Sequence, residues 1–192
     1  MKIRLTEYNE HWKVMYEQEV VLLQTIFGPD NIRFEHFGST SIPGMKAKPV
    51  IDMMCIVEEI DKVDSYNSRM ELLGYEAAGE WGIEGRRLFR KGGEERTHHL
   101  HVYEKGNPHI DRHLILRDYL RTHPLEADAY RSYKEGLAAR YDSTREYSAA
   151  KKDFVSAMEQ RALAWFRKRG SKKNGSYDCF GTVHRSNQYP PV

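Results

Sequence analysis

Ile32-Arg33-Phe34-Glu35-His36-Phe37-Gly38-Ser39-Thr40-Ser41 and, after an intervening Pro43-Gly44 turn, Val50-Ile51-Asp52-Met53-Met54-Cys55-Ile56-Val57 carry most of the information about fold class. In the first segment Ile32, Phe34 and His36 alternate with Arg33, Glu35 and Phe37, the period of a strand, and the alternation stops at Gly38. Ser39 to Gly44 is small and turn-rich, and Lys46 and Lys48 carry the loop on to Pro49. The second segment is apolar on both faces except for Asp52, which suits a central strand covered on both sides.

Outward from this pair, Trp12, Met15, Tyr16, Val20, Leu23, Ile26 and Phe27 recur at three and four, so Asn9 to Phe27 reads as an amphipathic helix stopped by Gly28-Pro29. A second helix is expected over Asp61 to Leu73, with Gly74 just past its end. Strands are expected over Tyr75 to Trp81, Arg87 to Arg90 and His98 to Tyr103. From Asp111 the pattern is helical, first to His123, then from Pro124 to about Tyr141, then in one long helix from about Ser143 to Arg169. Residues 170–192 lack periodicity and read as a flexible tail.

The chain has 192 residues, which favours one unit spanning 1–169, with a sheet core at about 30–104 and a helical part at about 110–169. At 40% hydrophobic residues it has enough apolar material for a core, which excludes global disorder. The formal charge of +2 excludes a polybasic coat or an acidic tail, yet it hides a division: residues 1–104 carry a net −5 and residues 105–192 a net +7. Two cysteines, Cys55 and Cys179, make neither a disulfide framework nor a zinc spacing. With no apolar leader or membrane-length run visible, the expectation is a soluble, cytoplasmic protein without membrane contact.

The chemistry-bearing residues leave two readings open. Gly38-Ser39-Thr40-Ser41 at a strand end offers amides and hydroxyls suited to phosphate oxygens, with the Asp52 carboxylate nearby for a divalent metal. It is equally a tight loop whose hydroxyls satisfy the backbone. Asp52 itself needs a cation, hydrogen-bond partners or a cavity, because an isolated buried carboxylate costs several kcal/mol.

The run from His36 to Asp52 resembles the signature of the GrpB family, and so do Thr97-His98-His99-Leu100-His101-Val102, Leu116-Arg117-Asp118-Tyr119-Leu120-Arg121 and the helical end with Tyr147 and Lys151. The resemblance covers most of residues 6 to 166 and implies a nucleotidyltransferase-like α/β (α+β) core: a mixed β-sheet flanked by helices, with a C-terminal helical portion. It further implies that Gly38 and Ser39 contact nucleotide phosphates and that Asp52 is the first carboxylate of a metal-binding pair. The partner carboxylate would stand two residues on, on the same strand face, and that position is Met54.

His99 and His101 also share one strand face. If that face is turned to Asp52, the set Asp52, His99 and His101, with His36 as a further candidate, offers N and O ligands for a divalent metal, better suited to Zn, Fe, Ni or Mn than to Mg alone. Asp52, His99 and His101 are therefore the candidate catalytic and metal residues, and Gly38, Ser39, Thr40, Ser41, Lys48 and Arg90 the candidate phosphate or nucleotide contacts. Three functions compete. One is a protein that binds a nucleotide or phosphorylated small molecule with a divalent metal and transfers a nucleotidyl group. Another is a transition-metal hydrolase or sensor built on Asp52, His99 and His101. The third is a non-catalytic adaptor whose basic C-terminal helix, at Arg167-Lys168-Arg169 and Lys172-Lys173, contacts RNA or protein.

Overall fold

The structure, a computed structural model, describes residues 5–28 and 32–171. Helix α1 (His11–Phe27) is followed by strand β1 (Arg33–Phe37), a single 3-10 turn at Ser39–Ser41 and strand β2 (Ile51–Val57). A 3-10 segment (Ile60–Tyr66) leads into the short helix α2 (Asn67–Leu72), then strands β3 (Tyr75–Ala77), β4 (Arg86–Lys91) and β5 (His98–Glu104). Helices α3 (Pro108–Thr122), α4 (Pro124–Ala138), α5 (Thr144–Ala150) and α6 (Lys152–Ser171) complete the described chain.

The strands form one five-stranded sheet in the order β1-β2-β5-β4-β3. β2 and β5 run parallel and the other pairings are antiparallel, so the expected mixed α/β sheet is what the chain forms. One sheet face, with Ile51, Met53, Cys55, Leu100 and Val102, packs on Trp12, Leu23, Ile26 and Phe27 of α1 and on Met70 of α2. At roughly 1.5–3 kcal/mol for each large aliphatic or aromatic side chain buried, this layer is the main source of cohesion. The opposite face is covered at the Met54 end, where Met54, Phe37 and Tyr103 meet Ile110 and Leu114 of α3. A third cluster joins the loop residues Ile42 and Met45 to Ile115, Tyr119, Tyr130 and Met158 of the helices, so the loop after β1 is packed into the helical portion.

Local sequence accounts for most of the boundaries. Gly28, at φ 82°, ends α1 with its N–H on the Gln24 carbonyl, 3.0 Å away. Asn107 caps α3 by accepting from the His109 N–H at 3.0 Å, with Pro108 at the first helical position. Three expected spans are corrected. The strand expected over Tyr75 to Trp81 ends at Ala77, because Gly79, Trp81, Gly82 and Gly85 all take positive φ and turn the chain. The helix expected from Asp61 has 3-10 geometry as far as Tyr66. The long helix expected from Ser143 breaks at Lys151 into α5 and α6. α6 runs on through 170–171, which were expected to begin the tail, and the rest of that tail, with Lys172, Lys173 and Cys179, lies outside the described residues. No helix among the described residues is long and apolar enough to cross a membrane.

Two properties of this frame are measurable. Gly38 has φ 71° and ψ −172°, a region open essentially to glycine alone. A Cβ there would also stand 2.5 Å from Oδ2 of Asp52. Gly38→Ala therefore lowers the unfolding free energy by about 2 to 3 kcal/mol or more in urea denaturation; a loss below about 0.5 kcal/mol contradicts this packing.

Burial also holds three imidazoles neutral, with pKa values lowered from 6.5 to about 4 for His36 and His113 and about 3 for His101. The unfolded chain takes up protons near 6.5 where these folded groups do not, so their contribution is complete above that pH and is lost as the pH falls below it. At pH 5 each such histidine has lost about 2 kcal/mol, and the thermal midpoint measured at pH 5 lies well below that at pH 7. A flat midpoint over this range contradicts the buried, neutral state.

Candidate functional site

Asp52 stands opposite Phe37 on β1 and His99 on β5. Its strand face continues through Met54, His101 and Tyr103, and α3 covers only the Met54 end, so Asp52 and His99 open onto a space between sheet and helices. That space is a cavity of about 120 Å³, lined among others by Ser39, Lys48, Asp52, His99, Lys134 and Lys151. The sheet contributes Asp52 and His99, the loop after β1 contributes Ser39 and Lys48, and α4 contributes Lys134. Lys151 comes from the break between α5 and α6, so this interruption is what brings its side chain to the cavity wall.

Nδ1 of His99 lies 3.3 Å from Oδ1 of Asp52. An ionised carboxylate only accepts, so Nδ1 carries the hydrogen and a neutral His99 keeps Nε2 as its acceptor. Burial pushes the Asp52 carboxyl up, but the hydrogen bond from His99 and the charge of Lys151 outweigh it and hold the group below its ordinary value. Asp52 is thus an anion, and its side chain is about a third exposed (32%).

Lys134 is the most unusual group. It is 2% exposed, and its Nζ donates to Oγ of Ser39 at 3.1 Å and to the carbonyl of Lys46. The adjacent Glu135 is taken by the Lys46 ammonium at 2.6 Å. Burial, reinforced by the charge of Lys151 and opposed by Glu135, lowers the Lys134 pKa to about 7. Lys48 is lowered too, by burial first and Lys151 second. The ammoniums of Lys48 and Lys151 lie 5.3 and 5.6 Å from the Tyr147 ring centroid, a cation–π arrangement that holds both at the wall. Among the described residues none of these three lysines makes an ion pair with a carboxylate. Other buried charges are matched: Glu19 meets Lys91 at 2.7 Å, and Arg86 donates to the carbonyls of Glu80 and Trp81.

The other expected site residues are distributed as follows. Gly38 provides the close approach to Asp52. Thr40 lines the cavity, but its hydroxyl lies 3.0 Å from Nε2 of His36 and 3.4 Å from the Val50 carbonyl. Ser41 closes the turn, donating to the Gly38 carbonyl at 2.7 Å, while its own carbonyl accepts from Arg121 at 2.7 and 3.0 Å. Arg117 binds Glu35, Asp118 and the His36 carbonyl, so Arg117 fastens α3 to β1 while Arg121 fastens it to the loop.

Arg90 lies across the sheet from His99, but its guanidinium is held by Glu76 and sits 4.3 Å from the Trp81 ring centroid, outside the cavity lining. His101 shares the Asp52 face and turns its Nδ1 to the Arg86 guanidinium at 3.3 Å. His36 is on the other face, opposite Met53 and stacked on Tyr16 at 5.0 Å, because one residue along a strand reverses direction.

The donor set does not fit a divalent metal. Among the described residues Asp52 is the only carboxylate lining the cavity, three lysines line it as well, and Met54 is fully buried with Phe37 and Tyr103. Hard cations collect several oxygen ligands, and softer ones need a convergent set of imidazoles or thiolates. Among the described residues no group of three or more His, Cys, Asp or Glu side chains is placed to hold a metal ion.

Lys134 was not singled out from sequence, although the signal was there. Tyr130, Lys134 and Leu137 fall at i, i+4 and i+7 on one helix face, and Tyr130 and Leu137 are both buried. A lysine on that stripe must either reach water or find polar partners inside.

Comparison with known proteins places this arrangement in a lineage. UPF0157 protein YqkA of Bacillus subtilis is 44% identical over 187 residues, covering 97% of this chain and 54% of that protein, so the chain spans about half of YqkA. Glutamate-rich protein GrpB of Alkalihalophilus pseudofirmus is 35% identical over 163 residues, 82% of this chain and 94% of that one. The crystal structure of conserved protein GrpB from Enterococcus faecalis superposes with a TM-score of 0.81 at 43% identity, covering 85% of this chain and 99% of that chain. The family model described as GrpB protein matches residues 2–161, and the chain belongs to the GrpB family.

Proposed function

We propose that the cavity beside Asp52 binds the phosphate group of a nucleotide or other phosphorylated small molecule. The observation that carries this reading is the convergence of Lys48, Lys134 and Lys151 on one cavity without carboxylate partners, Lys134 being 2% exposed. A buried cation without a direct ion pair is expensive, and a bound phosphate lowers that penalty. Ser39 adds a hydroxyl that already accepts from Lys134, and ammonium donors form short, charge-assisted bonds to phosphate oxygens. The nucleotidyltransferase-like core that the family resemblance implies favours a nucleotide among such ligands.

The same geometry supports transfer chemistry at the bound phosphate. Nε2 of His99, whose ring Asp52 orients through Nδ1, takes the proton of an attacking hydroxyl or amine as that nucleophile bonds to the α-phosphorus of a nucleoside triphosphate and the bond to the departing pyrophosphate breaks. The lysine ammoniums stabilise the charge that develops on the phosphate oxygens. Arg90 has no part in this reading, since Glu76 and Trp81 engage it. The described part of the basic helix end, where Arg169 lies 4.8 Å from the Trp165 ring centroid, gives no observation in favour of RNA over surface packing.

Titration calorimetry with ATP, GTP and CTP tests the reading. Binding of at least one is expected, and Lys134→Met weakens it by at least about tenfold, equivalent to about 1.4 kcal/mol. The same substitution raises the unfolding free energy of the free protein by about 1 to 4 kcal/mol, because it removes an unpaired buried charge. Wild-type affinity declines as the pH rises above about 7, where Lys134 loses its proton, and the variant lacks that dependence. Absence of binding to all three nucleotides overturns the nucleotide as ligand, and binding unaffected by Lys134→Met overturns the proposal that the phosphate sits in this cavity.

A further inference from the structure

The cavity's charge balance is the reverse of what a metal-dependent phosphate site needs. A divalent ion bridging protein and phosphate requires anionic oxygens on the protein side, and the lining offers one carboxylate, already hydrogen-bonded to His99 at 3.3 Å. The strand position that would supply a second carboxylate is Met54, which has 0% exposure and packs with Phe37, Tyr103, Ile110 and Leu114. A charged group there would have to displace that core. His101, the nearest alternative donor on this face, has Nδ1 engaged by Arg86. Three ammoniums in the same wall repel an incoming cation and attract an anion.

The approach to the cavity has the same sign. A groove of about 470 Å³ shares Ser148 and Lys151 with it and adds Arg112 and Lys152, while the groove's carboxylate, Glu159, is paired with Arg112 at 2.9 Å. A ligand reaching Lys134 through this groove meets positive charge along its path.

Building on the phosphate reading above, we infer that the cavity binds its ligand without a divalent metal: Lys48, Lys134 and Lys151 supply the charge a metal ion would carry, and the ligand class is a phosphate monoester or diphosphate end entering as the free anion. Lys134 and Ser39 hold the innermost oxygens, and Lys48 and Lys151 the outer ones. The organic remainder of the ligand lies toward Ser148 and the groove beyond it. Magnesium in solution then competes with the protein for the anion instead of bridging the two.

Calorimetric titration of the full chain with inorganic pyrophosphate, once in EDTA and once in excess MgCl2, tests this inference. Binding in EDTA is expected to be as tight as in MgCl2 or tighter. Lys151→Gln and Lys48→Gln, at half-exposed positions where the fold is checked by thermal melting, each weaken it at least fivefold. Pyrophosphate binding that requires Mg²⁺ or Mn²⁺ overturns the metal-free inference and leaves the phosphate reading standing. Binding in EDTA that neither lysine substitution changes overturns it as well, since it locates the anion elsewhere on the surface. No binding under either condition, with nucleotides also failing to bind, overturns both.

Discussion

The carboxylate of Asp52 occupies the space that a side chain at residue 38 would need, and the rest of the site depends on this contact. Because Asp52 is the cross-strand neighbour of Phe37, the chain leaving β1 has to pass directly over it. Glycine permits both the close approach and the positive φ, and the next residue, Ser39, is thereby delivered to the cavity. The loop that follows serves as a bracket between layers. Arg121 of α3 holds the Ser41 carbonyl, Ile42 and Met45 join the helical core, and Lys134 of α4 donates to both Ser39 and the Lys46 carbonyl. Beside the direct contact of the sheet with α3 at Met54, this stretch ties the sheet to α4 and α6, and the cavity lies next to it.

Within that gap the protein carries an electrostatic burden that folding alone does not explain. Glu19 and Arg86 show how this chain ordinarily treats a buried charge, with a counter-ion or a set of carbonyls. Lys134 has one carbonyl and one hydroxyl, and the Lys151 charge acts on it more strongly than that of Glu135, which the Lys46 ammonium already pairs. An ammonium in that position is less stable than an apolar side chain of the same volume would be. Retaining it makes physical sense when an anion completes the arrangement, so the strain in the free protein and the affinity for a ligand are two views of one interaction.

How much of this was legible in the sequence follows from where the information sits. Period-two alternation placed His99 and His101 on one face of their strand, and the register of β2 against β5, which the sequence left open, puts Asp52 opposite His99. The same parity put His36 on the far side, a consequence that the count of residues from His36 to Phe37 already contained. Met54 stood out as a departure from a paired-carboxylate strand, and its reason is tertiary: it fills the core beneath α3. Arg90 could not be excluded from sequence, because its partners Glu76 and Trp81 arrive through β3 and the glycine-rich turn after it. Lys134 and Lys151 come from helices 80 or more residues beyond Asp52, and only the packing of α4 and the break before α6 bring them to the strand. Sequence pattern reports which face a residue takes within its own element; which elements meet is settled by packing.

The account turns on the state of one amine, and its titration is the most direct test. In heteronuclear NMR of the lysine side chains, Lys134 of the free protein should titrate near 7, as its burial and the adjacent Lys151 require, and its pKa should rise when pyrophosphate is added. A Lys134 amine that titrates near the ordinary 10.5 in the free protein, or one whose pKa does not move when pyrophosphate is present, contradicts the claim that this cavity is built to hold an anion.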